Sequence, residues 1–173
     1  QATLAKGYAG LLIDDVNYYR RVATATGNEK GTQLGFTGVP LTDMMWQAAM
    51  VLFMTEIREA LPDVELVHNV VWYVPENALV AEGYAQATHV EVERGVNDTG
   101  ITGGVGKYSL RALLEGVDRR HAAGVGVVWD SQAKSDAERE YGLACYFLAS
   151  NGLDLIGSRA GGTPGDWWAG YDT

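Results

Sequence analysis

A chain of 173 residues with 47% hydrophobic content is long enough to bury one sizeable core. Its formal net charge of -9 argues against a nucleic-acid backbone or an anionic membrane as partner, since both need clustered Lys and Arg. A single cysteine, Cys145, excludes an internal disulfide and a thiolate metal cluster within the chain, and in its apolar helical pattern it reads as a small buried hydrophobe.

No apolar run approaches the roughly 18 residues of a membrane span, and no signal-peptide pattern opens the chain. The sequence starts at Gln1 and its four methionines (Met44, Met45, Met50, Met54) fall in one later helix, so a processed product or a fragment is expected. Apolar runs of strand length recur, each followed by a loop and then by helical periodicity, which is the signature of βα units around a parallel sheet.

The first strand is expected over residues 10–16. Thr42 then caps a helix with Asp43 in its first turn, running TDMMWQAAMVLFMTEIREAL until Pro62 stops it. That helix is apolar on nearly every side and is expected to be deeply buried. A second strand follows over 64–71, a short helix within 75–86, and a third strand over 88–93. The helix over 108–123 carries the stripe Leu110, Leu113, Leu114 and Val117, with Gly124 as its C-terminal cap. After a fourth strand over 125–129, Ser135 and Glu138 form a capping box that opens a helix ending at Asn151-Gly152, and a fifth strand spans 153–157. The strand centres are continuous apolar runs, as expected when both faces are covered. No repeat or linker divides the chain, so one domain over 1–173 is expected. The long connections 17–41 and 94–107 stand on the side where βα loops carry function.

Ligands of parallel α/β folds lie at the carboxyl ends of the strands, and here each strand ends on polar residues. The first ends on Asp14, Asp15 and Asn17; the second carries His68 and Asn69; the third Glu91, Glu93 and Arg94; the fourth Asp130; the fifth leads to Ser158 and Arg159. Tyr18, Tyr19, Trp72, Tyr73, Trp129, Trp167, Trp168 and Tyr171 stand beside them. Carboxylates ringed by aromatic faces suit a sugar, whose hydroxyls need acceptors and whose apolar ring faces stack on indole and phenol.

Each feature has a plainer reading. Asp14-Asp15 alone reads first as a cap of the following turn. Glu91 and Glu93 share one strand face by period-two spacing and could mark a solvated edge, although a central parallel strand has no such face. His68 and His89 read as hydrogen-bonded structural histidines, and Trp167-Trp168 serves equally as a packing plug or a stacking platform. The loop GITGGVGKYS fails as a phosphate cradle, because Tyr108 follows Lys107 and Ile101 occupies the place of the first glycine.

With strands ending on DD and on ExE, the sequence resembles the C-terminal part of a (β/α)8-barrel (TIM-barrel) glycoside hydrolase. The group named by the motifs is the set of glycoside hydrolases related to the endo-α-1,4-polygalactosaminidase and α-galactosidase-like barrels. GYAGLLIDDV matches their fourth-strand pattern, and VEVERGVNDTGITGG resembles their sixth-strand region. The resemblance covers essentially the whole chain and implies an α/β fold, a partial barrel of strands four to eight with three N-terminal strands missing. It implies Asp14 as the nucleophile with Asp15 shaping the site. Glu93 is preferred to Glu91 as acid/base, because it lies nearer the tip of its strand, although α-galactosidase-like barrels use Asp there. Asn17, Tyr18, Asn69, Trp72, Arg94, Trp129, Asp130, Arg159, Trp167 and Trp168 are the expected sugar-binding residues.

The expected activity is hydrolysis of a glycosidic bond in an oligo- or polysaccharide by two carboxyl groups, with no cofactor and an extracellular or secreted location. The expected partners are a carbohydrate and the remaining barrel strands, from the full-length chain or another subunit, with no nucleic acid and no membrane. Two rivals stand beside it: a non-catalytic carbohydrate-binding or structural subunit, and a metal-dependent lyase or hydrolase using Asp14, Asp15, Glu91 and Glu93 as oxygen ligands to Mg²⁺ or Ca²⁺. An open sheet would leave the first strand's edge and one face of the Met-rich helix exposed.

Overall fold

In the computed structural model, residues 6–18, 42–73, 75–93, 95–98, 103–158 and 168–172 are described. Strands β1 (Gly10–Ile13), β2 (Glu65–Asn69), β3 (His89–Val92), β4 (Gly126–Ser131) and β5 (Leu155–Ser158) form a five-stranded parallel sheet in chain order. Helices α1 (Asp43–Ala60), α2 (Ala78–Tyr84), α3 (Leu110–Ala122) and α4 (Asp136–Ala149) alternate with them, which makes the fold α/β. The chain divides into two compact units, Gln1–Ala87 and Thr88–Thr173.

In the first unit β1 and β2 run in register from Gly10 opposite Glu65 to Ile13 opposite His68. Gly10 is required there, since a Cβ would stand 2.6 Å from the Glu65 carbonyl oxygen. α1 begins where the Thr42 side chain accepts from Met45 N, with Asp43 in the first turn complementing the helix dipole. At its other end Arg58 donates to the carbonyls of Leu61, Pro62 and Val64, satisfying the chain that leaves the helix, and its Nε donates to Gln86 O beyond α2.

Gln47, Val51, Met54 and Arg58 recur at helical spacing and make one seam of α1, and Asn77 at the start of α2 donates to Gln47. The expectation that α1 is deeply buried is overturned. Only Val51 and Met54 are buried in it, whereas Met44, Met45, Leu52 and Phe53 are 47–70% exposed. Met45, Leu52 and Phe53 stand away from the α2 seam by helical spacing and are left to solvent.

In the second unit β4 pairs with β3 on one side and β5 on the other. β5 starts two residues later than its apolar run suggests, because Asp154 turns its carboxylate into the core. Oδ1 accepts from Val127 N (2.8 Å) and His121 Nε2 (2.8 Å), and Oδ2 from Trp129 Nε1 (3.0 Å). This buried carboxylate thus joins α3, β4 and the entry to β5. α3 is capped by Ser109 and closed by Gly124 at φ +75, and it buries Leu113 and Val117. At α4 the Ser135 hydroxyl accepts from Glu138 N, but the Glu138 carboxylate takes Lys134 N rather than closing a reciprocal box. Single turns of 3-10 helix at Gly95–Asn97, Gly106–Tyr108 and Ala169–Asp172 had no signal in the hydrophobic pattern.

Candidate functional site

The carboxyl end of β1 is a tight turn through Asp14 and Asp15. Asp15 sits in left-handed backbone space at φ +54, a conformation that Asp tolerates better than most residues. That conformation folds the Asp15 N–H back onto Asp14 Oδ1 at 2.9 Å. Asn69, the last residue of β2, donates its Nδ2 to the same oxygen at 2.9 Å. Asn17 Nδ2 donates to Asp15 Oδ1 at 3.2 Å, and Trp46 of α1 donates its indole N–H to the Asn17 carbonyl at 2.7 Å. Four of the expected site residues, Asp14, Asp15, Asn17 and Asn69, are therefore one hydrogen-bonded group. Asp14 and Asp15 are exposed, while Asn17 is buried.

Tyr18 is different. It is 1% exposed, packs edge-on against Tyr84 with ring centroids 5.2 Å apart, and lies so close over α2 that a Cβ at Gly83 would fall 2.4 Å from its ring. Trp72 is half-buried and meets Tyr73 edge-on at 5.5 Å.

His68, beside this group on β2, is fully buried and has no hydrogen-bond partner at either ring nitrogen. Burial first, and then the Arg58 charge, lower its pKa from 6.5 to about 4, so the ring is neutral at neutral pH. The expectation of a hydrogen-bonded structural histidine is thus corrected for His68: its neutrality comes from desolvation. His89 fits that expectation, with Nε2 donating to Leu153 O at 3.0 Å.

In the second unit the register sets faces. Glu91 stands level with Val128, and Asp130 is two residues farther along β4, so Glu91 and Asp130 share one face of the sheet. Both are buried. Glu93 lies past the end of β3 and is exposed. Trp129 points to the opposite face, level with Val92 and Ile156, where it is 2% exposed and donates to Asp154. Trp168 is half-buried and meets Tyr171 edge-on at 5.4 Å. Tyr19, Arg94, Arg159, Trp167 and residues 99–102 lie outside the described residues, as does most of the connection 17–41.

Asp14 offers an exposed carboxylate with one oxygen doubly hydrogen-bonded and the other left to meet a ligand. Glu93 offers a second exposed carboxyl at a strand end. Such groups can accept sugar hydroxyls, attack an electrophilic carbon, or move a proton. Among the described residues no group of three or more His, Cys, Asp or Glu is placed to hold a metal ion, and no helix is long and apolar enough to cross a membrane. Sequence reasoning took Asn69 as a sugar ligand and missed its grip on Asp14, which depends on pairing across 55 residues. It also missed Asp154, whose signal was an acidic residue at the start of an apolar strand. No family model, curated protein or solved structure matches the chain.

Proposed function

We propose that the protein is a glycoside hydrolase on a (β/α)8-type barrel, acting through the carboxyl groups of Asp14 and Glu93. The observation that carries this reading is the Asp14 carboxylate: exposed at the carboxyl end of a parallel strand, held through Oδ1 by Asn69 and Asp15, with Oδ2 left to react. In the reaction a proton from Glu93 goes to the leaving oxygen as the bond from the anomeric carbon to that oxygen breaks. Asp14 either forms an ester with the anomeric carbon, later released by water, or takes the proton of an attacking water. The first path needs the carboxyl groups roughly 5 to 5.5 Å apart, and the second roughly 6.5 to 9.5 Å.

The barrel part of the reading is supported by the parallel strands and by α1, whose apolar side opposite α2 fits a further helix of an added βα unit. Glu91 and Asp130 serve in this reading as buried supports of the sugar site. Trp72 and Trp168 are its stacking surfaces, because Tyr18 and Trp129 are committed to packing.

The test is incubation with a panel of oligosaccharides and aryl glycosides, following product release and, in parallel, heat of binding. Turnover that survives EDTA supports the proposal. Binding without turnover would establish a binding subunit instead, and turnover abolished by EDTA and restored by Mg²⁺ or Ca²⁺ would establish a metal enzyme.

A further inference from the structure

Two donors converge on a single oxygen of Asp14. Asp15 N–H and Asn69 Nδ2–H each lie 2.9 Å from Oδ1. A carboxylate has two oxygens with roughly four lone-pair sites, so an even environment would spread these bonds. Here both fall on Oδ1, which fixes the rotation of the carboxyl group and occupies the lone pairs of that atom. Oδ2 is left with its lone pairs open and is held in one direction.

Asn69 is well built for this duty. As the last residue of β2 its backbone is fixed by the ladder, and its carbonyl oxygen accepts from Val16 N at 2.9 Å. It therefore holds the Asp14-Asp15 turn from both sides, by its side chain before the turn and by its main chain after it. The turn closes on itself through Asn17 N to Asp15 O at 2.7 Å.

We propose that Asn69 is a positioning residue that, with the Asp15 N–H, selects Oδ2 of Asp14 as the reacting oxygen. This inference rests on the hydrolase reading above. Asn69 in this role acts through Asp14 and does not touch the substrate, so its loss lowers kcat and leaves KM nearly unchanged. A displacement of about 1 Å in a reacting group costs on the order of 100-fold in rate.

The experiment has two arms on the full chain. In the first, nitrogen-edited NMR compares the Asp15 N–H and the Asn69 side-chain N–H in the wild type and in Asp14→Ala, which removes their shared acceptor. Both resonances are expected to move upfield in the variant, and an unmoved Asn69 side-chain resonance overturns the inference. In the second arm, an aryl glycoside that the wild type hydrolyses is turned over by Asn69→Leu and by Asn69→Gln, which keeps the amide but moves it outward by one methylene. The expected result is a fall in kcat of about 10- to 100-fold for Asn69→Leu, a smaller fall for Asn69→Gln, and KM within about twofold. If Asn69→Leu loses its fold, Asn69→Gln is judged by the same split. Unchanged kcat, or a raised KM at constant kcat, overturns the positioning role while leaving the hydrolase reading intact. Absence of turnover by the wild type across the panel removes the hydrolase reading and the inference with it.

Discussion

His89 and Gly126 face each other across the β3/β4 ladder with no room for one more methyl group: a Cβ at 126 would lie 2.5 Å from His89 Cδ2 and 2.8 Å from the Leu153 carbonyl oxygen. The bare backbone at 126 lets the His89 ring pass over β4 and donate to Leu153. Gly126→Ala should therefore destabilise the second unit by about 1–3 kcal/mol, as overpacking does in a filled core. Urea denaturation measures it, and an unchanged midpoint would refute the packing.

His68 makes stability depend on pH. Its folded pKa, about 4, lies below the 6.5 of the unfolded chain, so the unfolded state takes up the proton first as pH falls. The stability is intact above pH 6.5, erodes between 6.5 and 4, and the loss approaches about 3 kcal/mol at the lower end. His68→Leu should remove this part of the acid sensitivity. Denaturation midpoints at pH 7 and pH 4.5 for both proteins check it; an equal acid loss in the variant would show that His68 is not the source.

Asp154 ties α3, β4 and β5 through three donors. Asp154→Ala leaves the Val127 amide and the Trp129 indole N–H buried without their acceptor, at about 1–3 kcal/mol each. Trp129→Phe removes only one of the bonds and should cost less. Thermal melts of the two variants should fall in that order, and the reverse order would contradict the network.

The apolar outer side of α1 should govern association. Replacing Leu52 and Phe53 together by Lys leaves the α2 seam untouched, so the fold should survive, with stability changed by less than about 1 kcal/mol. Sedimentation should show self-association of the wild type relieved in the double variant. A monodisperse wild-type monomer at high concentration would count against a partial barrel.

Much of this was legible along the chain. The alternation of apolar runs with helical periodicity yields the five parallel strands, and Thr42 and Ser135 mark the starts of α1 and α4 where the structure has them. Asp14 stands out because it follows an apolar strand directly. What escaped depends on long-range packing. All-round apolar character in α1 cannot say which side another element covers. Trp129 and Asp130 are adjacent in sequence, yet the pleat sends them to opposite faces, one into the core with Asp154 and the other beside Glu91. Tyr18 looked like a sugar platform until Gly83 and Tyr84 closed over it. The start of β5 moved because a side chain, Asp154, takes the amide of Val127.

Loss of hydrolysis in Asp14→Asn and Glu93→Gln bears most directly on the two-carboxylate proposal. With circular dichroism showing the fold retained, each substitution should lower the rate on a glycoside cleaved by the wild type by about 100- to 10,000-fold. Full activity in both variants would contradict the proposal.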